Sequence, residues 1–192
     1  MELKRVVVTG LGAVTPLGLN VDETWEALLN GVSGAGPITH FDASQFKTQF
    51  ACEVKNFDPT LYLDKKEVRK FDRYAQFAVA AAKEAVGDSA LDLEKVDKNR
   101  VGVIFAAGIG GIRTFEEEVG GYFTNIERGP KFNPFFIPKM IADIAAGHIS
   151  MIYGFHGPNY ATVSACASST HSLIDAFNNI RLGKADVIVT GG

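Results

Sequence analysis

Three apolar segments, each leading into glycine, constrain the fold of this chain more than any other feature. They occupy residues 4–9, 100–107 and 186–192 and read KRVVVT, RVGVIFAA and DVIVTGG. Continuous apolar runs of this kind are typical of strands that are buried on both faces of a parallel sheet. Because helical patterns separate them, we predict an α/β fold with a mostly parallel sheet and helices on both faces.

Besides the helix that follows Cys166, the segments between these strands predict four helices and a hairpin. The first helix begins at Asn20, where Glu23 completes a capping pair three residues later, and it ends near Gly31. The other predicted helices cover residues 63–86, residues 113–127 with a break at Gly120 and Gly121, and residues 138–154, and a short hairpin is expected around residues 50–54.

Length and charge predict an ordinary globular protein. The chain has 192 residues, which we assign to one domain over residues 1–192, and a formal net charge of −3. This charge gives no reason to expect nucleic acid or a membrane surface as a partner. Cys52 and Cys166 form no metal-binding spacing, and we interpret Cys52 as structural. We found no secretory signal and no apolar run long enough to span a bilayer, so we expect a cytoplasmic protein without a resident metal.

Gly10 and Gly12, which follow the first predicted strand, do not indicate a dinucleotide site. That fingerprint needs a third glycine at the start of a helix and an acidic residue after the next strand. Here the third glycine is missing and Pro16 interrupts the segment before any helix begins.

The stretch over residues 156–182 is the candidate site for chemistry. It begins with a Gly157-Pro158 turn, continues as a predicted strand over residues 160–165 and changes to helical periodicity after Cys166. Cys166 is therefore expected at a strand–helix corner, next to the unpaired N–H groups and the positive end of the helix. The neighbouring alanine and serine residues leave room for a substrate to approach the sulfur.

Spacing alone leaves the role of Cys166 open. A helix N-terminus stabilises a nearby anion by about 1 kcal/mol at most when exposed, so a nucleophilic thiol would need further help from a base or a polarised pocket. His171 lies five residues later and about 140° around the helix, which argues against a Cys–His pair. A small, buried core cysteine is an equally good interpretation on this ground.

Three other features have both structural and functional interpretations. Lys66, Arg69, Lys70 and Arg73 share one face of the predicted helix and form either a solvated face or a docking patch for an acidic partner. The aromatic stretch over residues 132–138 indicates a pocket lining or an interface. We expect His148 to be a hydrogen-bonded core histidine rather than a ligand.

In four motifs the sequence resembles the β-ketoacyl-[acyl-carrier-protein] synthases, in particular the synthase II type of bacterial fatty-acid synthesis. These motifs are VVVTGLGAVTPLG, AAGIGG, PFFIPKMIADIAAGHISMIYGFHGPN and TVSACASSTHSL, and they follow one another in the family's order. The resemblance implies a thiolase-like fold with a βαβαβαβ N-terminal half, and a homodimer. It also implies a condensing reaction in which a cysteine takes an acyl chain from acyl carrier protein and is then attacked by the carbanion of decarboxylated malonyl carrier protein.

The resemblance also implies roles for individual residues. Cys166 matches the acyl-accepting nucleophile, whose backbone N–H is one oxyanion donor. Ile109 matches the residue that gates the acyl tunnel, and Phe136 matches the phenylalanine that reaches into the partner subunit's pocket. Residues of the carrier-protein docking cluster match Lys66, Arg69 and Lys70. No cofactor is implied, because substrates arrive on the phosphopantetheine arm of the carrier protein.

Family members are about twice this length, and their catalytic histidine pair, lysine and second oxyanion donor lie in the half beyond the matched residues. We therefore expect the 192-residue chain to correspond to the N-terminal half and to be inactive in condensation on its own. A polyketide ketosynthase, a thiolase relative and a non-catalytic module that binds a carrier protein or a partner subunit are the alternatives.

Overall fold

The computed structural model describes residues 3–129 and 131–192, so residues 1, 2 and 130 of the predicted domain lie outside it. The strands of this described part are β1 (Ala35–Pro37), β2 (Phe50–Cys52), β3 (Val101–Phe105), β4 (Asn159–Tyr160) and β5 (Val187–Gly191). Its α-helices are α1 (Val21–Leu29), α2 (Lys65–Val68), α3 (Arg73–Asp88), α4 (Ile112–Thr124), α5 (Phe136–Met140), α6 (Ile144–Tyr153) and α7 (Ser168–Arg181). None of these helices is both long enough and apolar enough to cross a membrane.

The central sheet has three parallel strands in the order β4-β3-β5. Val103 of β3 lies opposite Asn159 on one side and Val189 on the other. β1 and β2 form a separate antiparallel pair in which Ala35 faces Cys52. The hairpin expected around residues 50–54 therefore exists, but its partner strand lies at the far end of a long connection.

Helices cover both faces of this sheet, as predicted. Val101 and Val103 of β3 are completely buried against a cluster formed mainly by α3 and α6. Ile104 is equally buried but points to the opposite face, because neighbouring side chains of a strand alternate. α7 packs against β3 and β5 and contributes no residue to the α3–α6 cluster, so it covers that second face.

The strand predicted over residues 4–9 is absent. The N–H of Lys4 donates to the carbonyl of Arg181 (3.1 Å), and this is the one backbone hydrogen bond that residues 4–9 make within the described part of the chain. Val7 and Val8 are 57% and 77% exposed. A strand needs a neighbour to pair with, and in the part of the chain that the structure describes β5 is hydrogen-bonded to β3 alone. The residue types therefore predicted a strand that has no partner here.

The helix predicted over residues 63–86 is divided into α2 and α3. α3 begins at Arg73, and the carboxylate of Asp72 accepts a hydrogen bond from the N–H of Tyr74 at its start (3.2 Å). Aspartate is among the strongest N-cap residues. The apolar periodicity suggested one helix, but the capping residue within it starts a new one.

Two other predicted helices also differ from the structure. α4 continues through Gly120 and Gly121, because a glycine weakens a helix by only about 1 kcal/mol and does not by itself end it. The helix predicted over residues 138–154 is instead α5 and α6, separated at Ile141, whose backbone is extended. Its predicted end is confirmed at Gly154, which adopts the left-handed conformation (φ 69°).

Candidate active site

Cys166 lies at a corner between β4 and α7, as predicted. The strand is shorter than expected, since β4 ends at Tyr160. Cys166 is the middle residue of a single 3-10 turn, Ala165–Ala167, that leads directly into α7. Its side chain is exposed, so the alternative interpretation as a buried core cysteine is wrong.

The backbone of this turn is strained at the residue before the cysteine. Ala165 has φ +49°, in the left-handed region that residues other than glycine enter at a cost of about 1–2 kcal/mol. Such strain is typical of functional sites, where the surrounding structure enforces it. α7 has no side-chain N-cap, because Ala167 occupies that position. The N–H groups of Ala167 and Ser168 donate to the carbonyls of Ser164 and Ala165, so the 3-10 turn continues directly into the helix. The positive end of α7 therefore lies next to Cys166.

A network of hydroxyl groups surrounds the turn. The Oγ of Ser168 is within 2.7 Å of both the N–H of Ser164 and the carbonyl of Ala165. Nδ1 of His171 lies 2.8 Å from the Oγ of Ser164, so this imidazole has a partner other than Cys166, in agreement with the sequence argument. The sequence analysis missed the hydroxyl network, although the density of serine and threonine over residues 162–172 was a signal for it.

The loop after β3 approaches the cysteine turn. A Cβ on Gly108 would lie 3.9 Å from the carbonyl oxygen of Ala165. Ile109 follows it and is 70% exposed. The N–H of Gly111 donates to the carbonyl of Met140 (2.9 Å), which ties the loop to the end of α5. Ile109 and Cys166 are therefore on neighbouring segments.

The aromatic stretch forms a partly exposed cluster. Phe136 stacks on Phe132 with ring centroids 5.6 Å apart, and Phe132 in turn stacks on Tyr122 of α4 (5.5 Å). Phe132 and Phe135 remain 44% and 41% exposed. An exposed aromatic surface of this kind fits the predicted pocket lining or interface. Phe136 of this cluster belongs to α5, which the Gly111–Met140 hydrogen bond joins to the Ile109 loop.

The basic residues do not share one helical face, so that part of the prediction is wrong. Lys66 lies in α2, whereas Arg69 and Lys70 lie in the turn before α3. Lys70 pairs with Glu67 (2.6 Å), and its ammonium lies 5.9 Å from the ring of Phe135. Arg73 turns away to the carbonyl of Val54 (3.3 Å). What remains exposed is a basic segment of Lys65, Lys66 and Arg69 next to the aromatic cluster.

Asp72 connects this basic segment to the Ile109 loop. Its side chain is buried, and it accepts hydrogen bonds from the hydroxyl (2.5 Å) and the N–H (3.3 Å) of Thr114, near the start of α4. A Cβ on Gly111 would come within 3.1 Å of the same carboxylate oxygen. The sequence analysis assigned no role to Asp72 or Thr114. An aspartate before a helical run was the available signal.

His148 is a core residue as expected, but its Nε2 has no hydrogen-bond partner in the described part of the chain. The imidazole stacks on Phe71 with ring centroids 3.6 Å apart. Burial lowers the pKa of His148 to about 4, while the nearby Glu67 carboxylate opposes this shift. The histidine is therefore neutral at pH 7. Among residues 3–129 and 131–192, no group of three histidine, cysteine or acidic side chains is placed to hold a metal ion.

A cavity of about 750 Å³ lies between α3, the segment over residues 10–15 and the C-terminal ends of β3 and β5. Ile109 and Ser169 contribute to its wall, but Cys166 does not. The alanines of α3 make much of this wall apolar. The cavity is therefore a neighbour of the cysteine turn rather than its own pocket.

Ketosynthases are among the solved structures with a similar architecture, which confirms the predicted thiolase-like α/β fold. The ishigamide ketosynthase/chain length factor matches with a TM-score of 0.83 and 29% identity, over 100% of this chain and 47% of that one. A type II polyketide acyl-carrier protein in complex with its ketosynthase (AntDE:AntF) matches with a TM-score of 0.83 and 24% identity, over 98% of this chain and 51% of that one. The second likeness is one of fold.

Curated relatives carry the name 3-oxoacyl-[acyl-carrier-protein] synthase 2. The protein from Coxiella burnetii is 45% identical over 192 residues, 100% of this chain and 46% of its own length. The protein from Staphylococcus aureus (strain COL) is 44% identical over 190 residues, 98% of this chain and 45% of its own. The chain thus spans about half the length of the curated relatives it matches. The family model described as "Beta-ketoacyl synthase, N-terminal domain" matches residues 3–192, and the chain therefore belongs to the beta-ketoacyl synthase family.

Proposed function

We propose that this chain supplies the nucleophile half of a 3-oxoacyl-[acyl-carrier-protein] synthase of fatty-acid synthesis, with Cys166 as the acyl acceptor. The observation that supports this most is the exposed position of Cys166 in a strained turn directly before the first turn of α7. A reactive cysteine needs access for its substrate and an electropositive surrounding, and the start of a helix supplies the second. The names of the curated relatives point to the same reaction.

In the proposed step, the Cys166 thiolate attacks the carbonyl carbon of an acyl thioester. A new carbon–sulfur bond forms, the bond to the carrier's sulfur breaks, and the proton lost by Cys166 ends on the released carrier thiol. The carbonyl oxygen carries negative charge in the intermediate, and the backbone N–H of Cys166 is the proposed first donor to it. The family's second donor, histidine pair and lysine have no matching positions in residues 1–192. We therefore propose acylation without condensation for this chain alone.

Intact-mass measurement after incubation with an acyl-carrier-protein thioester tests the acyl acceptor. We expect the mass to increase by one acyl group on the wild-type chain and on Cys52→Ala, which removes the other exposed thiol. We expect no increase on Cys166→Ala. An unmodified wild-type chain, or acylation that survives Cys166→Ala, contradicts the proposal. Turnover with malonyl carrier protein near that of a full-length synthase contradicts the proposal that this chain alone does not catalyse condensation.

We further propose that the basic segment and Lys70 receive the acidic surface of the carrier protein. Lys66 and Arg69 are exposed, and complementary charge chiefly raises the association rate of a partner. Reversing both charges (Lys66→Glu with Arg69→Glu) is expected to slow acylation by the carrier thioester by about tenfold or more, equivalent to roughly 1.4 kcal/mol. Acylation by a small thioester without a carrier is expected to be unchanged.

Lys47→Glu is the matched control, because Lys47 is exposed but lies outside the basic segment. An equal loss of rate with the small thioester would show that the charge reversal damages the site and not the docking. Coenzyme A thioesters that acylate Cys166 as well as carrier thioesters would favour the thiolase alternative. Carrier binding without any acylation would favour the non-catalytic module.

We also propose a cytoplasmic homodimer. β4 has a hydrogen-bonded neighbour on one edge, and an unpaired strand edge is a template for a strand of another chain. The exposed side chains of Phe132, Phe135 and Ile137 add apolar surface on α5 and the segment before it. Phe136 lies among them, in the position that the family uses to reach its partner subunit.

A further inference from the structure

One buried hydroxyl group contacts both residues that precede the cysteine. Ser168 is 3% exposed, and its Oγ accepts a hydrogen bond from the N–H of Ser164 and donates one to the carbonyl of Ala165, each at 2.7 Å. The Ala165 carbonyl belongs to the peptide bond that leads into Cys166. A side chain of α7 thus fixes the backbone on the entry side of the turn.

A second contact fixes Ser168 itself. Its carbonyl accepts a hydrogen bond from the hydroxyl of Thr162 (2.8 Å), which lies between the end of β4 and the turn. Ser168 is also the first residue of α7. The backbone N–H of Ser168 also donates to the carbonyl of Ala165. The start of the helix and the chain before the turn are therefore joined by four hydrogen bonds of this one residue, two of which its hydroxyl makes.

The restraint acts where the backbone is strained. Ala165 has φ +49°, and an alanine without external restraint relaxes to a negative φ, which is lower in energy by about 1–2 kcal/mol. Relaxation would rotate the peptide group between Ala165 and Cys166. Since that group carries the Cys166 N–H, its rotation would turn the N–H and the sulfur away from their present directions.

We propose that Ser168 is a positioning residue for Cys166. Its hydroxyl keeps Ala165 in the left-handed conformation, and this conformation aims the sulfur and the backbone N–H of Cys166 at the same incoming thioester. The inference rests on the proposed function, because it assumes that Cys166 is acylated. Ser168 itself does not touch the substrate.

The test compares Ser168→Ala with Thr170→Ala, which removes an exposed hydroxyl two residues later in α7. Losing a hydrogen bond worth about 1.4 kcal/mol corresponds to a tenfold effect, so we expect Ser168→Ala to acylate Cys166 at least about tenfold more slowly. Thr170→Ala and Ser168→Thr, which keeps the hydroxyl, should stay within about threefold of the wild-type rate. Glycine tolerates a positive φ, so adding Ala165→Gly to Ser168→Ala should restore part of the lost rate.

Ala165→Val tests the same idea without touching the hydroxyl, and it serves if Ser168→Ala does not fold. A β-branched residue strongly disfavours a positive φ, so we expect an equal loss of acylation rate. Wild-type rates in Ser168→Ala or in Ala165→Val would overturn the proposal. So would a double variant with Ala165→Gly that recovers nothing while its circular dichroism and melting match those of the wild type.

Alkylation by iodoacetamide separates this inference from the proposed function. Cys52 is exposed in the same molecule and serves as the internal reference. Moving a thiolate away from a helix N-terminus loses about 0.3–1 kcal/mol, so Cys166 of Ser168→Ala should react about two- to fivefold more slowly at pH 7. Cys52 should react as before. A wild-type chain that is never acylated refutes the proposed function, whereas an unchanged Cys166 alkylation rate refutes the positioning role.

Discussion

At the scale of single residues, the sequence predicted where Cys166 lies but not what holds it there. The change from strand to helix periodicity and the small neighbouring residues placed Cys166 at a corner, and the structure confirms this position. The strain at Ala165 and the hydroxyl bonds of Ser168 are tertiary geometry, which no periodicity encodes. The role of Cys166 as a nucleophile stays a prediction that the acylation experiment decides.

His148 gives a residue-scale prediction about pH. Burial holds the pKa of His148 at about 4, whereas an unfolded histidine has a pKa of about 6.5. Between these values the unfolded chain binds a proton that the folded chain does not, so the folded state loses stability as pH falls from about 6.5 to 4. The loss is on the order of 3 kcal/mol at most. Urea unfolding at a series of pH values measures it.

The matched variants are His148→Phe and His156→Gln. A phenylalanine can keep the stacking on Phe71. It also removes an imidazole whose buried Nε2 has no hydrogen-bond partner among the described residues. We expect His148→Phe to be at least as stable as the wild type at pH 7 and to lose less stability on acidification. His156 is exposed, so His156→Gln should keep the wild-type pH dependence. Identical acid profiles for the wild type and His148→Phe would contradict the prediction.

At the scale of elements, the errors of the sequence analysis share a cause. Apolar periodicity continued through Asp72 and through Ile141, and in both places the predicted helix is divided. Besides capping α3, Asp72 accepts the hydroxyl of Thr114 from α4, and the carbonyl of Ile141 accepts the hydroxyl of Tyr74 from α3. Such contacts depend on segments far apart in the chain. Helix ends set by local chemistry, such as Asn20 before α1 and Gly154 after α6, were predicted correctly.

The contacts of Asp72 lead to a prediction about the free energy of unfolding. Asp72→Ala removes the cap of α3 and leaves the buried hydroxyl of Thr114 without its acceptor. A lost cap costs about 0.5–2 kcal/mol and an unpaired buried hydroxyl about 1–3 kcal/mol, so we expect a loss of about 2–4 kcal/mol in unfolding free energy. Urea denaturation measures it.

Asp72→Asn keeps a capping oxygen and is the conservative control, with a smaller expected loss. Asp22→Ala tests an exposed aspartate in the first turn of α1, where we expect less than about 1 kcal/mol. A stability of Asp72→Ala equal to that of Asp22→Ala would show that the Asp72 connection contributes nothing.

At the scale of the whole molecule, the sequence predicted the layers correctly and one strand of the sheet wrongly. Continuous apolar runs identified β3 and β5, which are buried or half-buried between helices. The same signal failed at residues 4–9, because residue types show a preference for strand but do not supply a neighbour. Which strands pair depends on tertiary contacts, and the apolar pattern of a single segment does not identify its neighbour.

The exposed apolar surface leads to a prediction about self-association. Leu173 and Ile174 of α7 are each 50% exposed, and Trp25 of α1 is 60% exposed. Surfaces of this kind mark interaction sites or promote aggregation. We expect the 192-residue chain to form dimers or larger species as its concentration rises, and sedimentation velocity over a range of concentrations measures this.

Leu173→Glu with Ile174→Lys should shift the distribution toward monomer, because charges on α7 oppose its burial in an interface. Lys47→Glu, which reverses an exposed charge in the loop before β2, should leave the distribution unchanged. A monodisperse monomer with a cooperative thermal transition at every concentration would contradict the prediction.

Gly10 and Gly12 fit against α3 so closely that a Cβ on either glycine would collide with the carbonyl oxygen of Ala85 or Ala81. The two segments are thus complementary in shape, although Gly12 and Ala81 lie 69 residues apart in the chain and Gly10 and Ala85 lie 75 apart. Replacing the segment that contains Gly10 and Gly12 with that of a relative should preserve the fold only when α3 of the same relative replaces α3 as well. In recombination libraries of this family, the folded variants should then carry both segments from the same parent.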